Sequence, residues 1–121
     1  MILDIGAYAE RAASRYLDGE KHLCYLAHNF KTRFGEIDLV FRSLRTIVFV
    51  EVKARSEKTF APPKDYVEKE KQKRIIAASE YYLEKHPRYQ KLTPRYDVIE
   101  VYFENNEIKS IKHLENAFTL D

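Results

Sequence analysis

Tryptophan is absent from this sequence, and cysteine and methionine occur once each. A single cysteine excludes an intrachain disulfide and argues against a Cys-based metal site. Cys24 sits among Leu23, Tyr25 and Leu26 and reads as a buried structural thiol. Three glycines and four prolines are too few for a flexible or low-complexity tract, and no internal repeat is visible. No apolar run approaches the ~20 residues of a membrane-spanning helix. Met1-Ile2-Leu3-Asp4 shows no basic segment leading into an apolar one, so no signal peptide is expected. A large charge excess is also missing: 21 Lys and Arg against 19 Asp and Glu give a net charge of +2, which is not the signature of an avid nucleic-acid binder. These absences together place the expected protein in the cytoplasm, without a membrane partner.

What remains is a chain of 121 residues, 45% hydrophobic and 33% charged, enough to bury one core and read as a single domain over 1–121. Charge is unevenly spread. Residues 31–58 hold seven Lys or Arg against four Asp or Glu, a local excess that permits a polyanionic substrate.

Residues 4–18 read as a helix, with Asp4 as N-cap and Gly19 as the stop. Gly6, Glu10, Ala13 and Leu17 recur on one face of it. A first strand is expected over 22–29. Residues 36–42 and 46–53 are rich in β-branched and aromatic residues and apolar on both faces, as in the middle of a sheet. A polar stretch with Pro62-Pro63 marks a loop over 56–66. A second helix follows over 67–85, with Ile75, Ile76, Ser79, Tyr82 and Leu83 as its core stripe, ended by His86-Pro87. Another strand is expected over 95–103, a turn over 104–107 and a last strand over 108–114. Helix, three strands, helix and two strands suit an α/β fold with a mixed sheet flanked by helices.

Core strands rarely carry ionisable residues, because an unpaired buried charge costs several kcal/mol. Yet Asp38 lies within Ile37-Asp38-Leu39-Val40, and Glu51 and Lys53 interrupt Phe49-Val50-Glu51-Val52-Lys53. A two-residue hairpin loop at Leu44-Arg45 would pair Ser43 with Thr46 and Arg42 with Ile47. Further down the ladder Asp38 would face Glu51 and Glu36 would face Lys53, with opposed Cβ atoms about 5 Å apart. Leu44-Arg45 lacks the Gly or Asn of the best two-residue turns, so a one-residue slip stays open. Two opposed carboxylates repel unless a cation or proton lies between them. Mg²⁺ or Mn²⁺ suits that gap, taking oxygen ligands and keeping positions for substrate phosphates. Lys53, two residues beyond Glu51 on the same strand face, would orient a water or stabilise the transition state of phosphodiester hydrolysis. Read without function, Glu51 and Lys53 are a strand-end salt bridge with Asp38 hydrogen-bonded nearby.

Gly35-Glu36-Ile37-Asp38-Leu39, followed by Phe49-Val50-Glu51-Val52-Lys53-Ala54-Arg55, resembles the signature of the YraN family of small bacterial proteins. That family is placed in the PD-(D/E)xK nuclease superfamily, near Holliday-junction resolvase-like folds. The likeness extends to Gly6 and Glu10, Asn29-Phe30, Lys71-Gln72-Lys73-Arg74, Arg95-Tyr96-Asp97-Val98 and Asn116-Ala117-Phe118. It implies a restriction-endonuclease-like fold, Asp38 and Glu51 as metal ligands, Lys53 as catalytic lysine and Glu10 as an accessory acidic ligand. It also implies a backbone carbonyl ligand from Val52, and Gln72 reaching the site. The Pro that names the superfamily is replaced here by Ile37.

Arg55 continues the odd-numbered face of Glu51 and Lys53 and could meet a phosphate bidentately, or form a surface salt bridge. Lys71 and Arg74, in the basic start of the second helix, are the candidate DNA-phosphate contacts; the bland alternative is a solvated helix face. Glu36 is an accessory acid. The histidines lack metal-ligand spacing and read as surface or core residues. Tyr81, Tyr82, Tyr89, Tyr96 and Tyr102 read as core, and Asp97 with Arg95 as a structural pair. The expected fold is thus a restriction-endonuclease-like α/β domain with its acidic site at one sheet edge. The expected activity is Mg²⁺- or Mn²⁺-dependent hydrolysis of DNA, on branched or damaged structures. The alternatives are a catalytically silent nucleic-acid-binding or adaptor module and a structural partner in a DNA-processing complex. A homodimer is expected only by analogy with resolvases.

Overall fold

The computed structural model describes residues 4–56 and 67–119. The expected loop over 56–66 lies, apart from Ser56, outside them. Helix α1 (Ile5–Gly19) leads into strands β1 (Cys24–Lys31), β2 (Glu36–Arg42) and β3 (Thr46–Ser56). Helix α2 (Lys69–Lys85) and a short 3-10 turn (Pro87–Tyr89) then precede β4 (Thr93–Glu104) and β5 (Glu107–Phe118). The strands form one mixed sheet in the order β1-β2-β3-β4-β5, antiparallel except for the parallel β3–β4 pair. A parallel pair needs a long crossover, and α2 lies within it. The result is the expected α/β class, a mixed central sheet flanked by helices in the restriction-endonuclease-like manner. No helix among the described residues is long and apolar enough to cross a membrane.

Local chemistry sets the element ends. The Asp4 side chain accepts from the Ala7 amide at 3.0 Å and starts α1. Ala9, Ala13 and Leu17 form the buried stripe of α1, so Glu10 lies at its flank and Gly6 outside it. At the start of α2, Gln72 Nε2 donates to the Val67 carbonyl at 2.8 Å. Asn105 and Asn106 both adopt left-handed φ, 54° and 64°, which matches the twist of a tight hairpin between β4 and β5.

The sheet divides two cores. Leu39, Phe41, Val48, Val50, Ile99 and Val101 pack with Ala9, Ala13 and Leu17 of α1. Ile37, Val40, Ile47, Phe49, Tyr96 and Val98 pack with Ile75, Ile76, Ala78 and Tyr82 of α2. Along β3, even-numbered residues therefore face α1 and odd-numbered ones face α2, the period of two that a strand imposes.

The β2–β3 hairpin has the expected register: Arg42 opposes Ile47, Phe41 opposes Val48, Val40 opposes Phe49 and Leu39 opposes Val50. The Ser43 amide bonds the Thr46 carbonyl at 2.8 Å, closing the two-residue loop without a slip. The ladder then stops. Asp38–Glu51 and Glu36–Lys53 are not rungs; Glu36 opposes Lys31 on β1 and Lys53 opposes Glu100 on β4. The hydrogen-bonded alternation from Ser43–Thr46 would direct the Val52 amide to the Ile37 carbonyl. It donates instead to Asp38 Oδ2 at 2.8 Å, so a side chain replaces the next rung and the strands part.

Two further expectations are corrected. Cys24 is exposed, because it begins β1, an edge strand of the sheet. The acidic residues do not lie at a sheet edge, since β1 covers β2 on one side and β4 and β5 cover β3 on the other.

Gly35 fixes how α2 meets the β1–β2 turn. A Cβ there would stand 2.8 Å from the Arg74 carbonyl oxygen and 2.9 Å from Arg74 Cβ. Only a residue without a side chain lets the helix approach so closely. Thr32 Oγ1 accepts from the Phe34 and Gly35 amides at 2.9 and 3.0 Å, holding that turn in place.

Candidate active site

The site forms where β2 and β3 part. Asp38, half-buried, stays beside Glu51, which is only 6% exposed. Burial pushes the Asp38 carboxyl up to about 7, and the Glu51 charge adds to this, while the Val52 amide works in the opposite direction. Burial and the Glu51 charge together thus favour the protonated form of Asp38. A cation comes from the helix layer that Glu51 faces: Lys71, in the first turn of α2, places Nζ 2.5 Å from Glu51 Oε2. Burial opposes the Lys71 charge, but its bond to Glu51 and the charges of Asp38 and Glu36 outweigh this and raise its pKa.

Lys53 and Arg55 continue the α2-facing parity of β3 toward its end. The Lys53 amine is pulled below its usual range, by burial first and then by the Arg55 charge. Between them lies a residue that the sequence reading passed over. Glu100 of β4 is fully buried, stands opposite Lys53 in the parallel register, and accepts from Arg55 Nε at 3.1 Å and from Tyr102 OH at 2.8 Å. Arg55 is thus held in a largely buried ion pair rather than a surface one. Glu100 interrupts Val98-Ile99-Glu100-Val101 just as Asp38 interrupts its own strand, so the same rule could have found it.

The remaining expected residues are less tightly gathered. Glu10, on α1, has a raised pKa through burial first and then the neighbouring Glu36 charge. It feels the field of Glu51, but among the described residues no three His, Cys, Asp or Glu side chains form a group that could hold a metal ion. Glu36 is exposed, and Gln72 is engaged with the Val67 carbonyl rather than with the acids. Arg74 presses its backbone against Gly35 and leaves its side chain exposed. Two adjacent carboxylates are nevertheless a donor set that Mg²⁺ accepts, since it commonly takes one or two carboxylates and keeps water and substrate phosphate elsewhere. The residues present fit such an ion through Asp38 and Glu51.

A second polar network, away from the acids, also escaped the sequence reading beyond its Arg95–Asp97 pair. Asp97 is fully buried and accepts from Arg95 Nε and Nη2 at 2.9 and 2.8 Å and from the Asn116 amide at 2.9 Å. His113 Nε2 lies 2.7 Å from its carboxylate, and His113 Nδ1 lies 3.1 Å from Tyr16 OH on α1. The network ties β4, β5 and α1 together.

Residues 9–101 match the model of the uncharacterised protein family UPF0102, spanning both the acidic hairpin and Lys71. The chain belongs to that family, the YraN family. Relatives are similar over almost their whole length. A UPF0102 protein of Caldanaerobacter subterraneus is 36% identical over 116 residues, covering 94% of this chain and 93% of the relative. One from Francisella tularensis subsp. novicida is 37% identical over 117 residues, covering 96% and 95%. One from Acinetobacter baumannii is 34% identical over 128 residues, covering 97% and 96%. UPF0102 membership therefore applies to essentially the entire chain.

Proposed function

We propose that this UPF0102 member is a metal-dependent nuclease that hydrolyses DNA phosphodiester bonds, on branched or damaged structures, with Mg²⁺ or Mn²⁺ as its ion. The observation that carries the reading is Asp38 held beside Glu51 in the sheet interior, with its carboxyl pushed up to about 7 by burial and then by the Glu51 charge. Two carboxylates kept together at such a cost are explained if a cation binds between them. Asp38 and Glu51 would hold the ion, with the Val52 carbonyl beside them and Glu10 as an outer acid. A bound divalent ion supplies Lewis acidity and a water made acidic enough to attack near neutral pH. Lys53 orients that water or meets the charge developing on the phosphate. Arg55, fixed by Glu100, meets a neighbouring phosphate, and Arg74 and Gln72 stand on the helix above it.

One observation favours a second reading. Only two acids converge among the described residues, and a silent binding or adaptor module would keep such a remnant. The two readings separate on labelled single-stranded, duplex, flap and four-way-junction DNA with EDTA, Mg²⁺ or Mn²⁺. A nuclease cuts in metal and not in EDTA, and a Glu51→Ala, Lys53→Ala double variant does not cut. An adaptor binds equally in both forms and cuts in neither. If neither form cuts nor binds, the DNA reading fails, and a protein partner that completes the site is the remaining possibility.

A further inference from the structure

Two carboxylates set into a sheet need a cation even when no metal is bound, and α2 supplies one. Lys71 is the third residue of that helix, and its Nζ lies 2.5 Å from Glu51 Oε2. The two ends of the pair differ sharply: the Lys71 side chain is 52% exposed, the Glu51 side chain 7%. The carboxylate is fixed by its strand, while the ammonium hangs on a flexible four-carbon stem with its other flank in solvent. The exposed ammonium is the partner free to leave, because water can solvate it once it lets go. Lys71 also feels the charges of Asp38 and Glu36, so its ammonium stands in the field of the whole acidic group.

These facts set up a competition. An Mg²⁺ or Mn²⁺ ion ligated by Glu51 would lie about 2.1 Å from the carboxylate oxygen. An ammonium bonded to that same oxygen is repelled by a doubly charged neighbour, and its bond to Glu51 weakens. We propose that Lys71 is a placeholder cation: it offsets the Glu51 charge in the metal-free protein, leaves Glu51 when a divalent ion binds, and then contacts the substrate phosphate at that ion. This rests on the nuclease reading and adds to it that the lysine of the helix is exchanged between carboxylate and phosphate. A purely structural Lys71, clamping α2 to β3, makes the opposite prediction, because removing a clamp loosens the site and weakens metal binding.

Calorimetric titration of Mn²⁺ into wild type and Lys71→Met at about pH 8 decides between them, with circular dichroism confirming that the variant is folded. Removal of a competing ammonium tightens Mn²⁺ binding, by about threefold to fivefold for a pair with one exposed partner. DNA affinity measured in Ca²⁺ falls in the same variant, and its salt dependence flattens by about one phosphate contact. Lys71→Arg, which keeps the charge, restores both properties toward wild type. Unchanged or weaker Mn²⁺ binding by Lys71→Met overturns the proposal while leaving the metal site standing. Tighter Mn²⁺ binding with unchanged DNA affinity overturns the transfer to phosphate. Failure of the wild type to bind Mn²⁺ overturns both this inference and the metal-dependent reading on which it rests.

Discussion

Asp38 is where the proposed chemistry and the stability of this protein meet. Its carboxyl is pushed up to about 7 in the folded protein, by burial first and by Glu51 second, from an unfolded value near 3.8. Between those values the native state holds a proton that the unfolded chain has lost, so stability falls as pH rises and levels off above about 7. Asp38→Asn removes this penalty while keeping an acceptor for the Val52 amide. The variant is expected to be more stable than wild type at about pH 8, by on the order of 2 kcal/mol, with the difference vanishing toward pH 4. Thermal melts at the two pH values, without divalent ions, check this; equal differences at both would show that the Asp38 charge is not the cause. The residue was legible in the sequence because a charge inside Ile37-Asp38-Leu39-Val40 breaks the rule for core strands. Its neighbour in space was harder to read. Lys71 was recognised as a basic residue on a helix face, but nothing in a helical charge run says which strand that face will meet.

At the scale of elements, the site depends on the meeting of α2 with the β1–β2 turn. Gly35→Ala would place a methyl 2.8 Å from the Arg74 carbonyl oxygen, and neither the backbone of a helix nor a turn braced by Thr32 moves aside easily. The expected cost is about 2 kcal/mol, measured by urea unfolding. The shifted helix would also weaken the Lys71–Glu51 pair. Unfolding indistinguishable from wild type would mean that the helix has room to move. The strands themselves were readable from β-branched and aromatic runs, and the hairpin register followed from the two-residue loop at Leu44-Arg45. The end of that ladder was not, because a side chain taking over the Val52 amide is a choice of the folded geometry. Cys24 was misjudged for a related reason: local apolar neighbours suggested burial, but the strand they form lies at the edge.

For the whole molecule, the Asp97 network joins the α1 layer to the far strands of the sheet. The Asp97 carboxyl is held below its ordinary range although burial pushes the other way, because His113, Arg95 and the Asn116 amide all bond it. Such a group contributes stability that is fully present above the ordinary carboxylate range and is lost as pH falls through its depressed value. Asp97→Ala is expected to cost about 3 kcal/mol near neutral pH, since Arg95 and His113 lose a buried partner, and less in acid. Urea unfolding at about pH 7 and about pH 3 measures both. A constant cost across that range would assign the effect to lost packing rather than charge. Arg95 beside Asp97 was visible as a pair in one strand, whereas His113 joins it through the pairing of β5 with β4, and Tyr16 through the contact of α1 with His113.

The proposed activity requires the Asp38–Glu51 pair to be a cation site, and one titration addresses that directly. Mn²⁺ is added to wild type and to Glu51→Ala in a calorimeter under identical buffer conditions. The structure predicts saturable binding to wild type that is lost, or weakened at least about tenfold, in the variant. Equal binding by both proteins would place the metal elsewhere and remove the basis for reading this hairpin as a nuclease site.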